Sequence, residues 1–424
     1  MDQPKNRLTP KLANGNIYSN SHVYKYYAGY SDAFVVSQLE KSELTTENSI
    51  ILDPWNGSGT TTLVSSILGY KSYGFDINPV MTLVAKAKLY YPSAKDIDEI
   101  KNLSVLSKKI KKPVCEQDPL SSWFGLDTVR SIRKLELCIR HSCGNTSKAL
   151  MKFFMNIDNV KPRLAFYYVT LFELLRIYTG RFTSSNPTWI KSAANDDEKI
   201  NLKFDQVYAD YQNQLIKTTK LLERTIDFSK AVIQTGDSRS IHLANCSIDC
   251  IITSPPYCTR IDYAIYTRVE LATVGYSEDE FCGIRRGMIG TPTIVGVPDD
   301  ILKQSHLWNG VLQRIRMHNS KAAYSYYYKT YYQYFIEMEQ SISEISRVLK
   351  TDGTISMVLQ DSWFKDIHID VPNIICEMLE LHDFELISLQ SEKVANNMRY
   401  INTRSKSYGE NSNHEAVLIM RKKG

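Results

Sequence analysis

The sequence predicts an α/β fold: an open, seven-stranded sheet that ends in a C-terminal hairpin, with a helical domain inserted into it. Three observations support this prediction. Residues 49–94 combine two strand-like segments, a glycine turn and a helix; strand-like segments return after residue 231; and the spacing of apolar residues over 95–230 is helical. We therefore expect one sheet-containing domain formed by residues 1–94 and 231–424, and a helical insertion over residues 95–230.

The composition is that of a soluble globular protein. Of the 424 residues, 43% are hydrophobic and 23% are charged, and the formal net charge is +5. The apolar runs are all shorter than the roughly 20 residues that span a bilayer, and the N-terminus is polar, so we expect no membrane segment and no signal peptide. The eight cysteines lack Cys-x-x-Cys spacing, which favours reduced thiols in a cytosolic protein. Cys138, His141 and Cys143 fit no common zinc pattern, and we expect no metal.

The first strand–turn–helix–strand unit predicts a ligand-binding edge. Residues 49–52 form a short apolar strand, and residues 53–61 follow it with the sequence Asp-Pro-Trp-Asn-Gly-Ser-Gly-Thr-Thr. A helix is predicted from there to Gly69, and a second strand over 71–76 ends at Asp76. Such a unit is a right-handed parallel crossover that binds ligands at the carboxyl ends of its strands. Asp76 lies about 20 residues past the glycines, where an acid can accept hydrogen bonds from ribose hydroxyls.

Residues 95–230 show helical periodicity. Apolar residues recur at helical spacing over 164–175, and a further long helix is predicted over 204–222. The polar residues 184–201 are typical of a solvent-exposed loop between helices. Residues 86–112 are rich in lysine, and a solvated helix face is the favoured interpretation of that charge.

Sheet-like segments return after residue 231 and carry two further polar turns. Residues 231–234 lead into Gly236, Asp237 and Ser238, and the apolar residues 248–252 lead into Thr-Ser-Pro-Pro-Tyr at 253–257. Three later strands end the chain and include the hairpin; they are predicted over 353–359, 384–389 and 415–420.

The Thr-Ser-Pro-Pro-Tyr segment is the most informative part of the chain. Two prolines stiffen the backbone after a buried strand, and the ring of Tyr257 follows directly. The hydroxyl oxygen of Ser254 and the carbonyl of Pro255 can accept the two N–H hydrogens of an exocyclic amino group on a nucleobase, while Tyr257 stacks on the base. Alone, Pro-Pro-Tyr is more often an ordinary turn. Its combination with the glycine turn and Asp76 points to chemistry on a base.

These motifs resemble those of the DNA amino-methyltransferases, which transfer a methyl group from S-adenosylmethionine to cytosine N4 or adenine N6. Residues 53–59 are similar to the family's cofactor loop, usually Asp-Pro-Phe-x-Gly-Ser-Gly, and Ser-Pro-Pro-Tyr at 254–257 matches its catalytic tetrapeptide. Asp76 matches the ribose-binding acid, and Asp237 matches the residue near the adenine amino group. Residues 22–27 are similar to the segment that closes over the methionine end of the cofactor.

The resemblance covers residues 20–94 and 231–424 and implies a Rossmann-like methyltransferase sheet with S-adenosylmethionine as cofactor. Residues 95–230 match no family that we can name. The resemblance implies catalytic roles for Ser254, Pro255, Pro256 and Tyr257. The residues that it assigns to the cofactor are Tyr24, Asp53, Pro54, Asn56, Gly57, Ser58, Gly59, Thr60, Asp76, Ile77, Asp237 and Ser238.

The form of the tetrapeptide favours cytosine N4 as the target. In the family, adenine enzymes more often carry Asp or Asn where this chain has Ser254, so adenine N6 is the alternative. Methylation of the cytosine ring carbon needs a thiolate directly after a proline, and Tyr257 occupies that place, so Cys258 is interpreted as a bystander. Because the amine is paired inside a duplex, the base must be flipped out, and Tyr257 is the expected stacking face.

Double-stranded DNA is the expected partner, and residues 258–336 are the candidate contact segment. Residues 301–336 contain no acidic residue and place basic side chains among tyrosines, which suits a phosphate backbone and stacked bases. The tyrosines from Tyr324 onward are equally well explained as the packed face of a helix. The candidate DNA-binding residues are Arg260, Arg268, Arg285, Arg286, Arg314, Arg316 and Lys321.

Two other functions compete with DNA methylation. One is methylation of an RNA amino group, and the other is a degenerate fold retained as a cofactor- or DNA-binding module, against which the intact Gly57, Asp76 and Asp237 argue. The resemblance implies a cytoplasmic enzyme that associates with the nucleoid when bound to DNA. It is compatible with a restriction–modification or other defence system and with a restriction endonuclease partner. We interpret the insertion 95–230 as a structural lobe, with target recognition, dimerisation and partner binding as alternatives.

Overall fold

The chain is organised around a seven-stranded sheet. The computed structural model describes residues 16–24, 26, 29–93, 98, 103, 117–144, 157–184, 189–222, 226–258, 262–294, 306–393 and 414–424. The strands are β1 (Ile50–Asp53), β2 (Lys71–Asp76), β3 (Ala231–Thr235), β4 (Ile248–Thr253), β5 (Leu349–Gln360), β6 (Ser362–Phe364), β7 (Ile367–Ile369), β8 (Phe384–Lys393) and β9 (His414–Lys422). The sheet has the order β3-β2-β1-β4-β5-β9-β8, and β6 pairs with β7 in a separate ribbon.

The α-helices of the described residues follow in chain order. They are α1 (Asp32–Glu40), α2 (Thr60–Leu68), α3 (Pro79–Lys88), α4 (Leu126–Ser142), α5 (Pro162–Thr179), α6 (Phe204–Lys220), α7 (Tyr263–Tyr266), α8 (Arg268–Val274), α9 (Glu278–Gly287), α10 (His306–Met317), α11 (Tyr328–Val348) and α12 (Val371–Glu380). A π-helical turn, Ala323–Tyr327, directly precedes α11.

The β1–α2–β2 unit forms as predicted. Gly59 precedes α2 with φ +80°, and Gly69 ends it with φ +87°, so both helix ends use the left-handed conformation that glycine adopts without strain. The two strands pair in parallel, with Ile50 opposite Lys71 and Asp53 opposite Gly74. The second strand ends at Asp76, which confirms the predicted position of that acid.

Strand β1 lies where the strand order reverses. It pairs in parallel with β2 on one side and with β4 on the other, so Leu52 is opposite both Tyr73 and Ile251. The chain leaves β1 towards β2 and β3 and returns to β4 on the far side. Ligands bind at such a point, in the crevice outside the carboxyl ends of the strands.

The C-terminal hairpin is confirmed. Strand β9 pairs antiparallel with β5, with Ile355 opposite Met420, and β8 pairs antiparallel with β9. The parallel strands and the antiparallel edge together give the predicted Rossmann-like, seven-stranded α/β fold. No helix among the described residues is long and apolar enough to cross a bilayer.

The helices α4, α5 and α6 confirm the helical character of the segment before residue 230. They share one hydrophobic cluster with α3 and α8, to which Trp123, Phe166 and Tyr211 contribute large buried rings. The cluster also encloses charge: the guanidinium of Arg133 bonds Asp118 at 2.7 Å and Glu136 at 2.8 Å. Buried charges of this kind are retained because they are paired. The division of the chain into two domains stays a prediction.

The expected solvated lysine face is wrong for the two lysines of 86–112 that the structure describes. Lys86 is 7% exposed and Lys88 is 2% exposed. Lys86 Nζ donates to the carbonyl oxygens of Ile157 and Asp158, and Lys88 Nζ donates to Ser58 Oγ. Both ammonium groups are therefore buried against protein, with two backbone carbonyls bonded to Lys86 and one serine hydroxyl bonded to Lys88. The other lysines of the segment lie outside the described residues.

Replacing Gly59 with alanine should destabilise the fold. A Cβ there would lie 2.5 Å from Ala85 Cβ and 2.9 Å from Ala85 Cα, at a backbone φ of +80°. We expect Gly59→Ala to lower the free energy of unfolding by about 2 kcal/mol or more, measured by urea denaturation. The control is Gly283→Ala in α9, where a Cβ meets nothing within 4 Å. Equal unfolding midpoints for the two variants would contradict the close approach of α2 to α3.

Candidate active site

One cleft at the carboxyl edge of the sheet collects the sequence motifs. The glycine turn after β1 and the proline corner after β4 line it together, which confirms that they face a common space. Its lining is formed by Tyr26, Gly29, Tyr30, residues 53–58, Thr60, residues 76–78, Met81, residues 236–238, residues 254–257, Tyr263 and residues 287–289.

Asp53 joins the two strand ends that frame the cleft. Its carboxylate accepts hydrogen bonds from Thr253 Oγ1 at 2.6 Å, from the hydroxyl of Tyr30 at 2.8 Å and from the backbone N–H of Trp55 at 3.2 Å. Burial raises the pKa of Asp53 to about 6, and the hydrogen bonds from Thr253 and Tyr30 oppose that rise. The carboxylate therefore fixes the start of the glycine turn against the end of β4.

Asp76 anchors the glycine turn from the neighbouring strand. Its carboxylate accepts the backbone N–H of Gly57 at 2.9 Å and that of Asn78 at 2.8 Å. Burial raises the pKa of Asp76 to about 7. Gly57 has φ +46°, and a Cβ at Gly74 would overlap the amide of Asn56 at 2.5 Å, so both glycines are needed for the loop to fold onto β2. Asp76 thus presents an acceptor in the cleft at the end of β2.

Asp237 is held by an ion pair with Arg239, which we call the Arg239 clamp. Arg239 donates to both carboxylate oxygens of Asp237, from Nε to Oδ1 and from Nη2 to Oδ2, and its Nη1 donates to Glu337 of α11 at 2.9 Å. Arg239 Nη2 also donates to the carbonyl of Gly287, which lines the cleft. Burial raises the pKa of Glu337 to about 7, and the charge of Arg239 opposes this. The clamp fixes the side chain of Asp237 relative to the end of α9.

The Ser-Pro-Pro-Tyr corner is oriented by bonds to three other elements. Ser254 Oγ donates to the carbonyl of Val358 in β5 at 2.9 Å. The Pro256 carbonyl accepts the hydroxyl of Tyr334 from α11, and the Tyr257 N–H donates to the hydroxyl of Tyr263. Because the Ser254 hydrogen is used by Val358, its lone pairs remain available as acceptors. Within the described residues the Pro255 carbonyl accepts no hydrogen bond.

Most of the predicted site residues line the cleft, and two do not. Gly59 lies behind it against Ala85, where it supports the loop. Tyr24 is buried elsewhere: its hydroxyl donates to Glu270 at 3.0 Å, and Arg176 lies over its ring at 4.4 Å. The neighbouring Tyr26 lines the cleft instead.

Sequence reasoning missed several lining residues. Tyr30 has no local signal, although its hydroxyl contacts Asp53, Thr61 Oγ1 and the Ile252 carbonyl. Tyr263 and the segment 287–289 reach the cleft only because of tertiary packing. Asn78 and Met81 lie two and five positions after Asp76, and their closeness in sequence to that predicted site residue was the one usable signal.

The candidate DNA-binding residues divide by exposure. Arg260 lies outside the described residues. Arg268 and Arg285 are engaged in ion pairs with Glu278 and Asp262, each partly shielded from solvent. The side chains that remain exposed at the surface are Arg286, Arg314, Arg316 and Lys321.

The tyrosines from Tyr324 onward fall into a buried group and an exposed one. Tyr328, Tyr331 and Tyr332 belong to the hydrophobic core, which bears out the interpretation as a packed helix face. Tyr324 is 57% exposed, stacks on Tyr328 at 6.0 Å, and lies 5.5 Å from the guanidinium of Arg316. This stack therefore combines a cation with an exposed aromatic face.

Comparison with known proteins agrees with the site. A family profile described as "DNA methylase", of N6/N4 type, matches residues 42–87. The Type II methyltransferase M.AvaI from Nostoc sp. strain PCC 7120 is 23% identical over 412 residues, which cover 88% of this chain and 81% of that protein. The Type II methyltransferase M.MvaI from Kocuria varians is 23% identical over 410 residues, covering 90% and 86%. The solved rRNA methyltransferase aviRa from Streptomyces viridochromogenes has a TM-score of 0.28 at 10% identity, covering 94% of this chain and 88% of that one.

The sheet is Rossmann-like, and the cleft lies at its switch point, outside the carboxyl ends of β1 and β4. The chain is similar to DNA methylases of the N6/N4 amino-methyltransferase type, and its cofactor is S-adenosylmethionine. The site fits that molecule. Gly57 leaves room beside the ring of Tyr26, and the carboxylate of Asp76 offers acceptors for hydroxyl groups.

The raised pKa of Asp76 predicts a pH dependence of cofactor binding. Its value near 7 means that the carboxyl is protonated below pH 7 and ionised above it. If ribose hydroxyls bind the ionised form, the Kd for S-adenosylhomocysteine should fall about 10-fold from pH 6 to pH 8. Isothermal calorimetry measures this, with Asp76→Asn as the control whose weaker binding should vary less with pH. A wild-type Kd that is constant over this range, together with unchanged binding by Asp76→Asn, would exclude Asp76 from ligand binding.

Proposed function

We propose that this protein is a site-specific DNA methyltransferase that methylates the exocyclic N4 amino group of a flipped-out cytosine. The observation that carries the proposal is the position of Ser254 and Pro255 in the same cleft as the glycine turn. The Type II methyltransferases among its relatives support DNA as the substrate and a role in restriction–modification. A restriction endonuclease partner is part of that proposal. Action on chromosomal DNA supports the expected cytoplasmic location and association with the nucleoid.

The corner is built to accept hydrogen bonds. Ser254 Oγ gives its hydrogen to Val358, and prolines 255 and 256 have no N–H, so the groups facing an amine are acceptors. An exocyclic amine is a weak nucleophile because its lone pair is delocalised into the ring. Acceptors on its two hydrogens localise that lone pair, and these bonds strengthen as positive charge develops on nitrogen. They therefore favour the transition state over the ground state.

The cofactor supplies a methyl group activated by its positively charged sulfur. Among the chain's own residues, we assign its binding to the cleft-lining members of the predicted set: Asp53, Pro54, Asn56, Gly57, Ser58, Thr60, Asp76, Ile77, Asp237 and Ser238. Tyr257 lies at the open end of the tetrapeptide and is the proposed stacking face for the flipped base. Cys258 is 1% exposed, and we assign it no part in methyl transfer.

DNA contact is proposed for the exposed cations beside the cleft. The hydroxyl of Tyr326 donates to the Pro292 carbonyl, three residues after the cleft-lining Ile289, so the turn before α11 borders the entrance. The Arg316–Tyr324 stack joins α10 to the turn before α11. Arg314 is also exposed on α10, next to Ile315, which faces the core. Cations and aromatic faces of this kind suit phosphates and unstacked bases.

Adenine N6 is the second candidate target. Its amino group offers the same two hydrogens to Ser254 and Pro255, and the matching family profile covers both N6 and N4 enzymes. Incubation with radiolabelled S-adenosylmethionine and either DNA or RNA, followed by nucleoside analysis, separates the candidates. We expect N4-methylcytosine in DNA. N6-methyladenine would establish the alternative, and label only in RNA, or none, would overturn the DNA proposal. Single-molecule sequencing of DNA from expressing cells then gives the sequence context.

Removing the Ser254 hydroxyl should slow methyl transfer while cofactor binding is retained. We expect Ser254→Ala to lower kcat about 100-fold or more, because one acceptor for the developing charge is lost. Single-turnover kinetics on target DNA measures the rate, and calorimetry measures the cofactor Kd. Ser247→Ala is the matched control, because Ser247 also donates to a backbone carbonyl but lies at the opposite end of β4. A fast Ser254→Ala variant would remove this residue from the mechanism.

Charge reversal at Arg314 and Arg316 should weaken DNA binding and reduce its salt dependence. Each lost phosphate contact lowers the slope of log K against log salt by about 0.9, so the double Arg→Glu variant should lose about 2. The control is Arg421→Glu with Lys423→Glu, a matched charge change at the C-terminal end of the chain, where Arg421 of β9 is opposite Thr354 of β5 and neither residue lines the cleft. Fluorescence anisotropy at several salt concentrations gives the slopes. Equal slopes for both double variants would exclude this surface.

A further inference from the structure

Lys88 of α3 is a buried cation beside the glycine turn that the chemistry above does not use. It is 2% exposed, and its Nζ donates to Ser58 Oγ at 3.1 Å. Among the described residues, Ser58 is the one hydrogen-bond partner of this ammonium group. The negative charge of Asp32 acts on it electrostatically, but the Asp32 oxygens already accept from Ile17, Tyr18 and Ser21. A buried ammonium with so little compensation is costly unless an anionic group completes its surroundings.

The hydrogen bond from Lys88 fixes the polarity of Ser58. An ammonium group can only donate, so Ser58 Oγ is the acceptor and its own hydrogen must point to a different partner. Ser58 lines the cleft, and among the described residues it donates its hydroxyl hydrogen to none. Burial lowers the pKa of Lys88 to about 8, so the group still carries its charge at neutral pH. Ser58 thus offers the cleft an O–H group polarised by a cation.

The cleft presents both acceptors and a donor. Asp76 and Asp237 place carboxylate acceptors at the end of β2 and after β3, whereas Ser58 places a donor on the glycine turn. S-adenosylmethionine has complementary groups, because its ribose hydroxyls and adenine amine donate and its carboxylate accepts. Of these groups, the carboxylate is the one best suited to a donor that a cation polarises.

We propose that Lys88 is a positioning residue that fixes Ser58 as a hydrogen-bond donor to the carboxylate at the methionine end of S-adenosylmethionine. The inference rests on that cofactor being the ligand of the cleft and is independent of which base is methylated. Lys86 provides an internal control. It lies two residues away in α3 and is also buried, but its Nζ binds backbone carbonyls of Ile157 and Asp158.

The test compares two ligands that differ only in the carboxylate. Calorimetry with S-adenosylhomocysteine and its decarboxylated analogue gives, for each variant, the ratio of the two Kd values. We expect the wild type to bind the carboxylate-bearing ligand about 10- to 100-fold more tightly, as for a charge-assisted hydrogen bond. Lys88→Met and Ser58→Ala should bring the ratio close to one. Lys86→Met and Lys88→Arg, which keeps the cation, should retain most of it.

The outcomes separate this inference from the cofactor assignment. If Lys88→Met keeps the wild-type ratio, the role of Lys88 is overturned while the cofactor site stands. If the wild type binds neither ligand, the cofactor assignment itself fails. Should Lys88→Met not fold, Ser58→Ala and Lys88→Arg decide: an unchanged ratio in Ser58→Ala overturns the proposal, and its loss there with retention in Lys88→Arg supports it.

Discussion

The hydrogen bond between Thr253 and Asp53 is the interaction on which the site depends. It joins residues that are 200 positions apart, at the ends of adjacent parallel strands. Asp53 also holds the N–H of Trp55, so the first residue of the glycine turn and the last residue before the proline corner share one carboxylate. Tyr30 closes this group by bonding Asp53 and the Ile252 carbonyl. Because β1 and β4 are neighbours in the sheet, the glycine turn and the Ser-Pro-Pro-Tyr corner have one fixed separation.

Hydrogen-bond partners also fix the orientation of Ser254 and Asp237. A hydroxyl or carboxylate can act in several ways, and a second partner selects one of them. Val358 takes the hydrogen of Ser254, and Arg239 holds both oxygens of Asp237. These partners come from β5 and from the turn after β3, so groups on or beside the strands orient these side chains. Preorganisation of this kind is what gives electrostatic stabilisation its effect.

The features that could be predicted from the sequence are those formed by residues close together in the chain. Strand β1, helix α2 and Asp76 follow from local apolar periodicity and glycine chemistry, and they were predictable. Tyr24 was misplaced because its partners, Glu270 and Arg176, are supplied by helices far along the chain. The charge of Lys88 was visible in the sequence, but nothing local indicates that Ser58 faces it.

The position of α3 explains why the helical segment belongs next to the cofactor site. Ala85 packs under Gly59, so this helix supports the glycine turn directly. On its other side Lys86 binds the carbonyls of Ile157 and Asp158, and Asp158 Oδ1 accepts the N–H of Thr235 at the end of β3. One short segment before α5 therefore contacts both α3 and the strand that leads into Asp237. The role of the insertion as a structural lobe stays a prediction, while these contacts link α3 to β3.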